Sequence, residues 1–296
     1  YCVVGGVLYT KDMTELLSCL PGVVSTVSFT VPDSVKVIGD EAFYGCALAN
    51  GITLPEGLEK IGDKAFAECI FLSSLNAPAS LWSTEASTIS FHHSAAPPVS
   101  MTTVTFSGSL DSIGKEAFKS CTMLKSVTMP DKLGSLGDEA FHFCENLESI
   151  VISDGLKSIG FMTFAGCRNL ASVTLPTTLQ SIGKEAFSGC THLKNFTLPA
   201  GLKTIGEGAF RSTCLTSIVI PDGVTAIPVL CFCDCRYLTS ITIPTSVKSI
   251  GSSALLLDSN LKLTINYKGT KAQWSDIAID RDNDSIDRAT IVYNYK

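Results

Sequence analysis

Three groups of side chains in this 296-residue chain could support chemistry: twelve cysteines, four histidines and an acidic run near the C-terminal end. The run alternates Asp280, Asp282 and Asp284 with Arg281 and Asn283, then reaches Asp287. Carboxylates at that spacing suit a hard cation such as calcium, which takes several oxygen ligands. However, Ser285 stands where a calcium loop needs Gly, and Ile291 where it needs a bidentate Glu, so a solvated polar turn is the better reading. Cys231, Cys233 and Cys235 form C-x-C-x-C, but a zinc site draws on two clusters of ligands and no second cluster stands nearby. His92 and His93 are adjacent, so on an extended segment they point to opposite sides and make a poor shared metal site. None of His92, His93, His142 and His192 accompanies a nucleophile signature. The chain has no G-x-S-x-G, no H-E-x-x-H and no phosphate-cradling glycine loop. The expectation is a non-enzymatic protein with no metal and no cofactor.

Composition narrows the partners. The chain has 22 Lys+Arg against 28 Asp+Glu, a net charge of −6 spread along its length. It offers no basic stripe to neutralise phosphates, which argues against nucleic acid. No apolar run approaches the roughly 18 to 20 residues of a membrane helix, so no membrane insertion of this segment is expected.

What positions these residues is a repeat. An apolar residue, Gly, two variable positions, Ala, Phe and then Cys recur as Ile38-Gly39, Ala42-Phe43, Cys46 and as Ile61-Gly62, Ala65-Phe66, Cys69. Later copies centre on Phe118, Phe141, Phe164, Phe187, Phe210 and Phe232. They step by 23 (141−118, 164−141, 187−164, 210−187) and then by 22 (232−210). A second phrase, Leu124 to Pro130, returns as Leu147 to Ser153, Leu170 to Pro176, Leu193 to Pro199, Leu215 to Pro221 and Leu238 to Pro244. Its centre alternates polar and apolar residues, a strand signal, and the closing Pro cannot donate a ladder hydrogen bond. The Ala-Phe-x-x-Cys phrase reads as a tight helical turn or loop back to the next strand. One 23-residue unit cannot bury its own Leu, Ile and Phe, but stacked units can. The expected fold is therefore a repeat solenoid of the leucine-rich type, mainly short parallel β-strands with turns and short helical segments.

The pattern L-x-x-I-x-L-P-x-x-L-x-x-I-G-x-x-A-F-x-x-C resembles the BspA-like, treponemal-type leucine-rich repeats of bacterial surface proteins. It divides the chain into an N-terminal capping hairpin (1–30), a repeat array (31–265) with an irregular insertion near 79–100, and a C-terminal cap (266–296). The resemblance implies export and display outside the cell or at its surface, after removal of a signal not present in this chain. It also implies roles in adhesion or host contact.

Cys46, Cys69, Cys121, Cys144, Cys167, Cys190 and Cys235 fall three residues after the repeat Phe, and Cys214 falls four after. Stacked strands lie about 4.8 Å apart but hold equivalent side chains parallel, whereas a disulfide needs Cβ atoms about 3.8 Å apart. A ladder of buried thiols is expected. Cys2 and Cys19 flank the opening hairpin and are candidates for a pair that the sequence does not fix.

The outward strand positions are small and hydroxyl-rich: Ser126 and Thr128, Ser149 and Val151, Ser172 and Thr174, Asn195 and Thr197, Ser217 and Val219, Ser240 and Thr242. Aromatic and Arg side chains dominate protein contacts, so the rims are favoured over this sheet. The ligand-contact candidates are His142, Phe143, Arg168, His192, Arg236 and Tyr237 beside the Phe turns, and Trp82, Phe91, His92 and His93 in the insertion. The reading that follows is a surface binding or adhesion module for a protein ligand. A carbohydrate-binding module and a ligand-free structural spacer are the alternatives.

Overall fold

A computed structural model describes residues 1–19, 28–46, 51–62, 65–66, 69, 72–77, 101–106 and 109–296. Trp82, Phe91, His92 and His93 lie outside the described residues, with the rest of the 79–100 stretch.

The chain winds into a β-solenoid of about 10 turns with parallel strands. Its register copies the sequence period. Ser126 faces Thr103 on one side and Ser149 on the other, and Ser149 in turn faces Ser172. Because every strand is offset by a whole repeat, like stacks on like: Ser and Thr point outward while Val127 and Ile150 point into the core. This first column holds seven strands, from Phe29–Thr30 to Ser172–Thr174, and four more from Ser217–Val219 to Thr290–Val292. After each Pro a turn closes, as where Leu202 N donates to Pro199 O at 3.0 Å. A second column follows, with the five-residue strands Ser109–Ile113 and Lys132–Leu136 and then two-residue strands such as Ser158–Ile159, Ser181–Ile182 and Thr204–Ile205. The next residue is Gly in these units, because successive turns touch there; after Ala226–Ile227, Pro228 takes the place. A Cβ on Gly183 would lie 2.6 Å from Gly160 C and O.

Of the two forms the sequence allows, the Ala-Phe-x-x-Cys phrase is the loop and not the helical turn. Two residues in each unit adopt left-handed backbone, such as Glu139 (φ 56°) and Phe143 (φ 58°), or Glu185 (φ 54°) and Gly189 (φ 74°). A left-handed residue every fourth position cannot continue a right-handed helix. The chain instead makes successive three-residue-closing turns: Ala186 N to Gly183 O, Ser188 N to Glu185 O, Cys190 N to Phe187 O and Leu193 N to Cys190 O. The intervening amides reach the following turn, as Phe187 N does to Ala209 O at 2.9 Å. The solenoid thus has a third hydrogen-bonded side.

Inside, the repeat phenylalanines stack face to face. Ring centroids are 5.2 Å apart for Phe118–Phe141, 5.5 Å for Phe141–Phe164 and 5.4 Å for Phe164–Phe187. The ladder cysteines are reduced. Each thiol donates to the Phe carbonyl of the preceding turn, as Cys144 does to Phe118 O and Cys167 to Phe141 O, both at 3.1 Å. Burial pushes their pKa values up, to about 12 for Cys121.

At the N-terminal end, strands β1 (Cys2–Val4), β2 (Val7–Tyr9) and β3 (Glu15–Cys19) form an antiparallel hairpin system, and β3 pairs in parallel with Val37–Ile38. Strand β2 lies between β1 and β3. Cys2 and Cys19 are thus two strand spacings apart, roughly 9.6 Å, beyond the reach of a disulfide. Cys2 Sγ donates instead to Thr10 O. At the other end, helix α1 (Lys271–Ser275) carries a capping box between Thr270 and Gln273, and its Trp274 packs edge-on against Tyr267 at 5.2 Å.

The acidic run forms the short helix α2 (Asp284–Asp287). Asp280, Asp282, Asp284 and Asp287 are solvent-exposed, whereas Asn283 and Ser285 are buried. Asn283 Oδ1 accepts from Leu255 N (2.9 Å) and Ser285 Oγ from Leu257 N (3.1 Å). The run is therefore solvated on its carboxylates and on Arg281. Asn283 and Ser285 close the open backbone of the last Phe-type turn.

Candidate interaction surface

Each unit turns from its buried Cys to the next strand through two solvent-facing residues, because Cys and the following Leu both point inward. In successive units these residues are Glu145-Asn146, Arg168-Asn169, Thr191-His192 and Arg236-Tyr237. They form a row held by bonds between turns. Asn169 Nδ2 donates to Asn146 Oδ1 (2.9 Å), Arg168 Nε lies 3.8 Å from Glu145 Oε1, and Thr191 Oγ1 donates to Arg168 O (3.2 Å). His192 Nδ1 lies 2.8 Å from Arg168 O, so the protonated nitrogen donates to that carbonyl and the ring is oriented along the row. The fold thus places Arg168, His192, Arg236 and Tyr237 on one rim, with the Tyr237 ring 58% exposed.

The row is interrupted once. Between Phe210 and Leu215 the chain is one residue shorter than in its neighbours. Thr213, not Cys214, takes the ladder position: it is buried, donates to Phe210 O (2.9 Å) and touches Cys235 Sγ (3.2 Å). Cys214 is displaced to the partly exposed side. The shortened turn leaves a hollow of 340 Å³ lined by Thr191, Ser212, Thr213, Cys214, Asp234, Arg236 and Tyr237. That volume suits one inserted side chain or a small ligand group. The sequence held its signal in the 22-residue step and the late Cys214, but a missing residue becomes a hollow only when its neighbours are stacked beside it.

His142 and Phe143 belong to a different patch, on the segment that precedes the Cys. Phe143 is 43% exposed, and its ring stacks on His142 at 4.0 Å. It lies over Gly166 of the next turn, where an added Cβ would come within 2.3 Å of Phe143 Cδ1. The absence of a side chain at 166 makes room for the ring. Beside them Glu139 bridges turns, with Lys119 Nζ at 2.6 Å and His142 Nδ1 at 3.1 Å. The hydrogen bond from Lys119 holds the Glu139 carboxyl below its usual range, and the same bond raises Lys119. No sequence motif marks this bridge, whose partners Lys119 and Glu139 are twenty residues apart.

The strand face is as hydroxyl-rich as expected, with one correction. Thr242 is buried, flanked in register by Val219 and by the longer Asn266, whose amide also reaches Ser240 Oγ (3.2 Å). The described residues hold no group of three or more His, Cys, Asp or Glu able to hold a metal ion. No helix among them is long and apolar enough to cross a membrane.

Comparison with known proteins gives the same architecture. Residues 19–96, 96–188 and 157–280 match the family described as BspA type Leucine rich repeat region, in six copies. A leucine rich cell surface protein of Faecalibacterium prausnitzii is 20% identical with a TM-score of 0.51, over 94% of this chain and 97% of that one. A leucine-rich repeat protein of Bacteroides ovatus is 22% identical with a TM-score of 0.53, over 99% and 90%. The Treponema pallidum leucine rich repeat protein is 29% identical with a TM-score of 0.52, over 64% and 87%. No curated protein matches.

Proposed function

This chain belongs to the BspA-type leucine-rich repeat family, and from that premise we propose that it is a cell-surface binding module that docks a protein partner. Proteins with such repeats are generally binding scaffolds and are typically displayed at the cell surface. The partner lies along the rim of Arg168, His192, Arg236 and Tyr237, and one of its side chains seats in the hollow of the shortened turn. The observation that carries this reading is the coincidence of that hollow with an exposed Arg and an exposed Tyr. Protein hot spots favour these two residue types around a pocket that excludes water. Phe143 and His142 supply a second contact patch. Trp82, Phe91, His92 and His93, in the insertion, are further contact candidates. An adhesive role, towards host matrix or another bacterial surface protein, is the natural use of such a module.

The test is binding of the purified chain to panels of extracellular-matrix proteins and of glycans. An Arg236→Ala/Tyr237→Ala double variant and a variant lacking residues 79–100 are measured alongside. Saturable protein binding that weakens tenfold or more in the double variant supports the rim, since each hot-spot truncation costs about 2 kcal/mol. Binding lost only in the deletion variant moves the site to the insertion. Glycan binding replaces the protein reading, and silence on both panels favours a structural spacer.

A further inference from the structure

Stacking brings together charges that are spread out along the chain. The residue just before each second-column strand faces solvent, and over five successive turns it is Lys157, Gln180, Lys203, Thr225 and Lys248. Backbone bonds set them in one column. Gln180 N donates to Lys157 O, Lys203 N to Gln180 O and Lys248 N to Thr225 O, each at 2.8 Å. Stacked strands lie about 4.8 Å apart, so the three lysines recur every second turn, about 9.6 Å from one to the next. Nearer the N-terminal end the same column holds Lys36 and Glu59, which pair with each other at 3.9 Å. Among the described residues Lys157, Lys203 and Lys248 enter no ion pair, and Lys248 Nζ donates to Thr245 O at 2.9 Å. The acids bordering the column are engaged elsewhere or stand apart. Asp222 is tied to Lys268 (3.0 Å) and Glu207 to Lys184 (3.2 Å), and Asp154 forms no ion pair with Lys157. Ser158, Ser181 and Thr204 lie in register directly beside the lysines.

We infer that this column docks an acidic segment of a protein partner in the polyproline II conformation, with a carboxylate at every third residue. The interval between lysines selects the conformation. A polyproline II chain has three residues per turn and rises about 3.1 Å per residue, so residues i, i+3 and i+6 share one face about 9.3 Å apart. Along a β-strand same-face residues fall about 6.7 or 13.4 Å apart, which fits neither interval. An α-helix returns after about 10.5 Å at i+7 and misses the third lysine by about 2 Å. Its carbonyls are also already bonded, whereas those of polyproline II are free to accept from Gln180, Ser181 and Thr204. A nucleic acid fits less well. Its phosphates recur about every 3.4 Å along a strand, far denser than these lysines, and the column offers no aromatic ring on which a base could stack. The column occupies a different segment of each turn from the rim of Arg236 and Tyr237, so the two surfaces can be tested apart.

The probe is a labelled synthetic peptide of Glu-Pro-Pro repeats, titrated with the intact chain at low salt and read by fluorescence anisotropy. Saturable binding is expected. It should weaken about threefold in Lys203→Gln, the size of one exposed ion pair, and at least tenfold when Lys157→Gln and Lys248→Gln are added. All three side chains are exposed, so these variants should unfold at the parent's midpoint. The Arg236→Ala/Tyr237→Ala variant should bind the peptide as the parent does, which separates this column from the rim. A peptide with the same number of Glu at every second residue, and one with Gln in place of Glu, should each bind at least fivefold more weakly. No saturable binding, equal binding of the control peptides, or binding that survives the triple substitution overturns the inference. So does a loss confined to the Arg236→Ala/Tyr237→Ala variant. Heparin is titrated in parallel, and binding of heparin with the peptide inert overturns the inference too, because it assigns the column to a polyanionic glycan.

Discussion

Two neighbouring stretches of this solenoid stack differently. From Phe118 to Phe187 the repeats step by 23, the rings lie 5.2 to 5.5 Å apart, and Ser126–Thr128, Ser149–Val151 and Ser172–Thr174 pair without a break. Between Phe187 and Phe232 the rings lie 5.7 and 5.6 Å apart. Residues 195–197 form no strand, and Thr204–Ile205 is not paired with Ala226–Ile227. Two local changes account for this. Phe196 stands where the strands around it, Val127, Ile150 and Val173 on one side and Ile218, Ile241 and Ile265 on the other, carry Val or Ile, and its ring wedges edge-on between Phe187 (5.0 Å) and Phe210 (5.1 Å). The missing residue after Phe210 then shortens the next turn. Thr216 N still donates to Lys194 O (3.2 Å), but beyond that point a groove of 370 Å³ opens between Asn195–Leu198 and Ser217–Val219. The comparison teaches that the aromatic core and the outer turns carry the stacking across a break in the sheet. It also places the candidate hollow where regularity is lost.

The largest effect is expected in the regular stretch. Phe164→Ala removes a fully buried ring between two stacked neighbours and should cost about 3 to 5 kcal/mol in urea unfolding. A cost below about 1 kcal/mol would mean that the ring column does not carry the stack. Next comes the contact between turns. Gly183→Ala forces a Cβ against the Gly160 backbone and should cost about 1 to 3 kcal/mol, whereas Gly201→Ala meets nothing nearer than Thr177 O at 3.4 Å and should stay within ~0.5 kcal/mol. Equal costs would mean that the contact between turns at the Gly column is not what excludes a side chain there. Third, Phe196→Val replaces the wedge with the residue type of the intact strands. It should lose only about 1 kcal/mol, because closing the seam offsets the lost ring contacts. Hydrogen exchange at Thr197 and Leu198, faster than at Val151 and Ile152 in the parent chain, should slow in this variant. Unchanged exchange there would show that Phe196 is not what holds the sheet open.

Much of this architecture is legible in the sequence for a physical reason. The strand register follows directly from the 23-residue period, since a slip of one residue would expose Ile150 and bury Ser149. The buried thiols follow from the same periodicity. The left-handed residues are not legible: Glu139 and Phe143 have no preference for that conformation, and the stack imposes it. The seam is hidden too. Phe196 is an acceptable strand residue by type, and only its neighbours' rings make it a wedge. Of the candidate contacts, Arg168, His192, Arg236 and Tyr237 share a rim because each follows a Cys position, and His142 and Phe143 fall elsewhere because they precede one.

The smallest expected effect is electrostatic, and it sharpens the same contrast. Among the described residues three Lys–Glu pairs bridge adjacent turns, Lys36–Glu59, Lys119–Glu139 and Lys184–Glu207, and the last two set the stretches side by side. Lys119–Glu139 lies in the regular stretch at 2.6 Å, with side chains 22% and 14% exposed, and Lys184–Glu207 lies near the seam at 3.2 Å, with side chains 47% and 43% exposed. The hydrogen bond from Lys119 lowers the Glu139 pKa, so the stabilisation is complete above the ordinary Glu range, near about 4.3, and is lost as pH falls through the lower folded value. Lys119 is raised by the same bond, so its share is complete below about 10.4 and is lost as pH rises through its higher folded value. At pH 7 Glu139→Gln should cost about 0.5 to 1 kcal/mol, and the difference from the parent chain should vanish towards pH 2. Glu207→Gln should change stability by no more than ~0.3 kcal/mol at either pH, because an exposed pair is screened by solvent. Urea unfolding of both variants at pH 7 and pH 2 decides it. A Glu207→Gln cost matching that of Glu139→Gln would show that the two stretches do not differ in how their turns are pinned together.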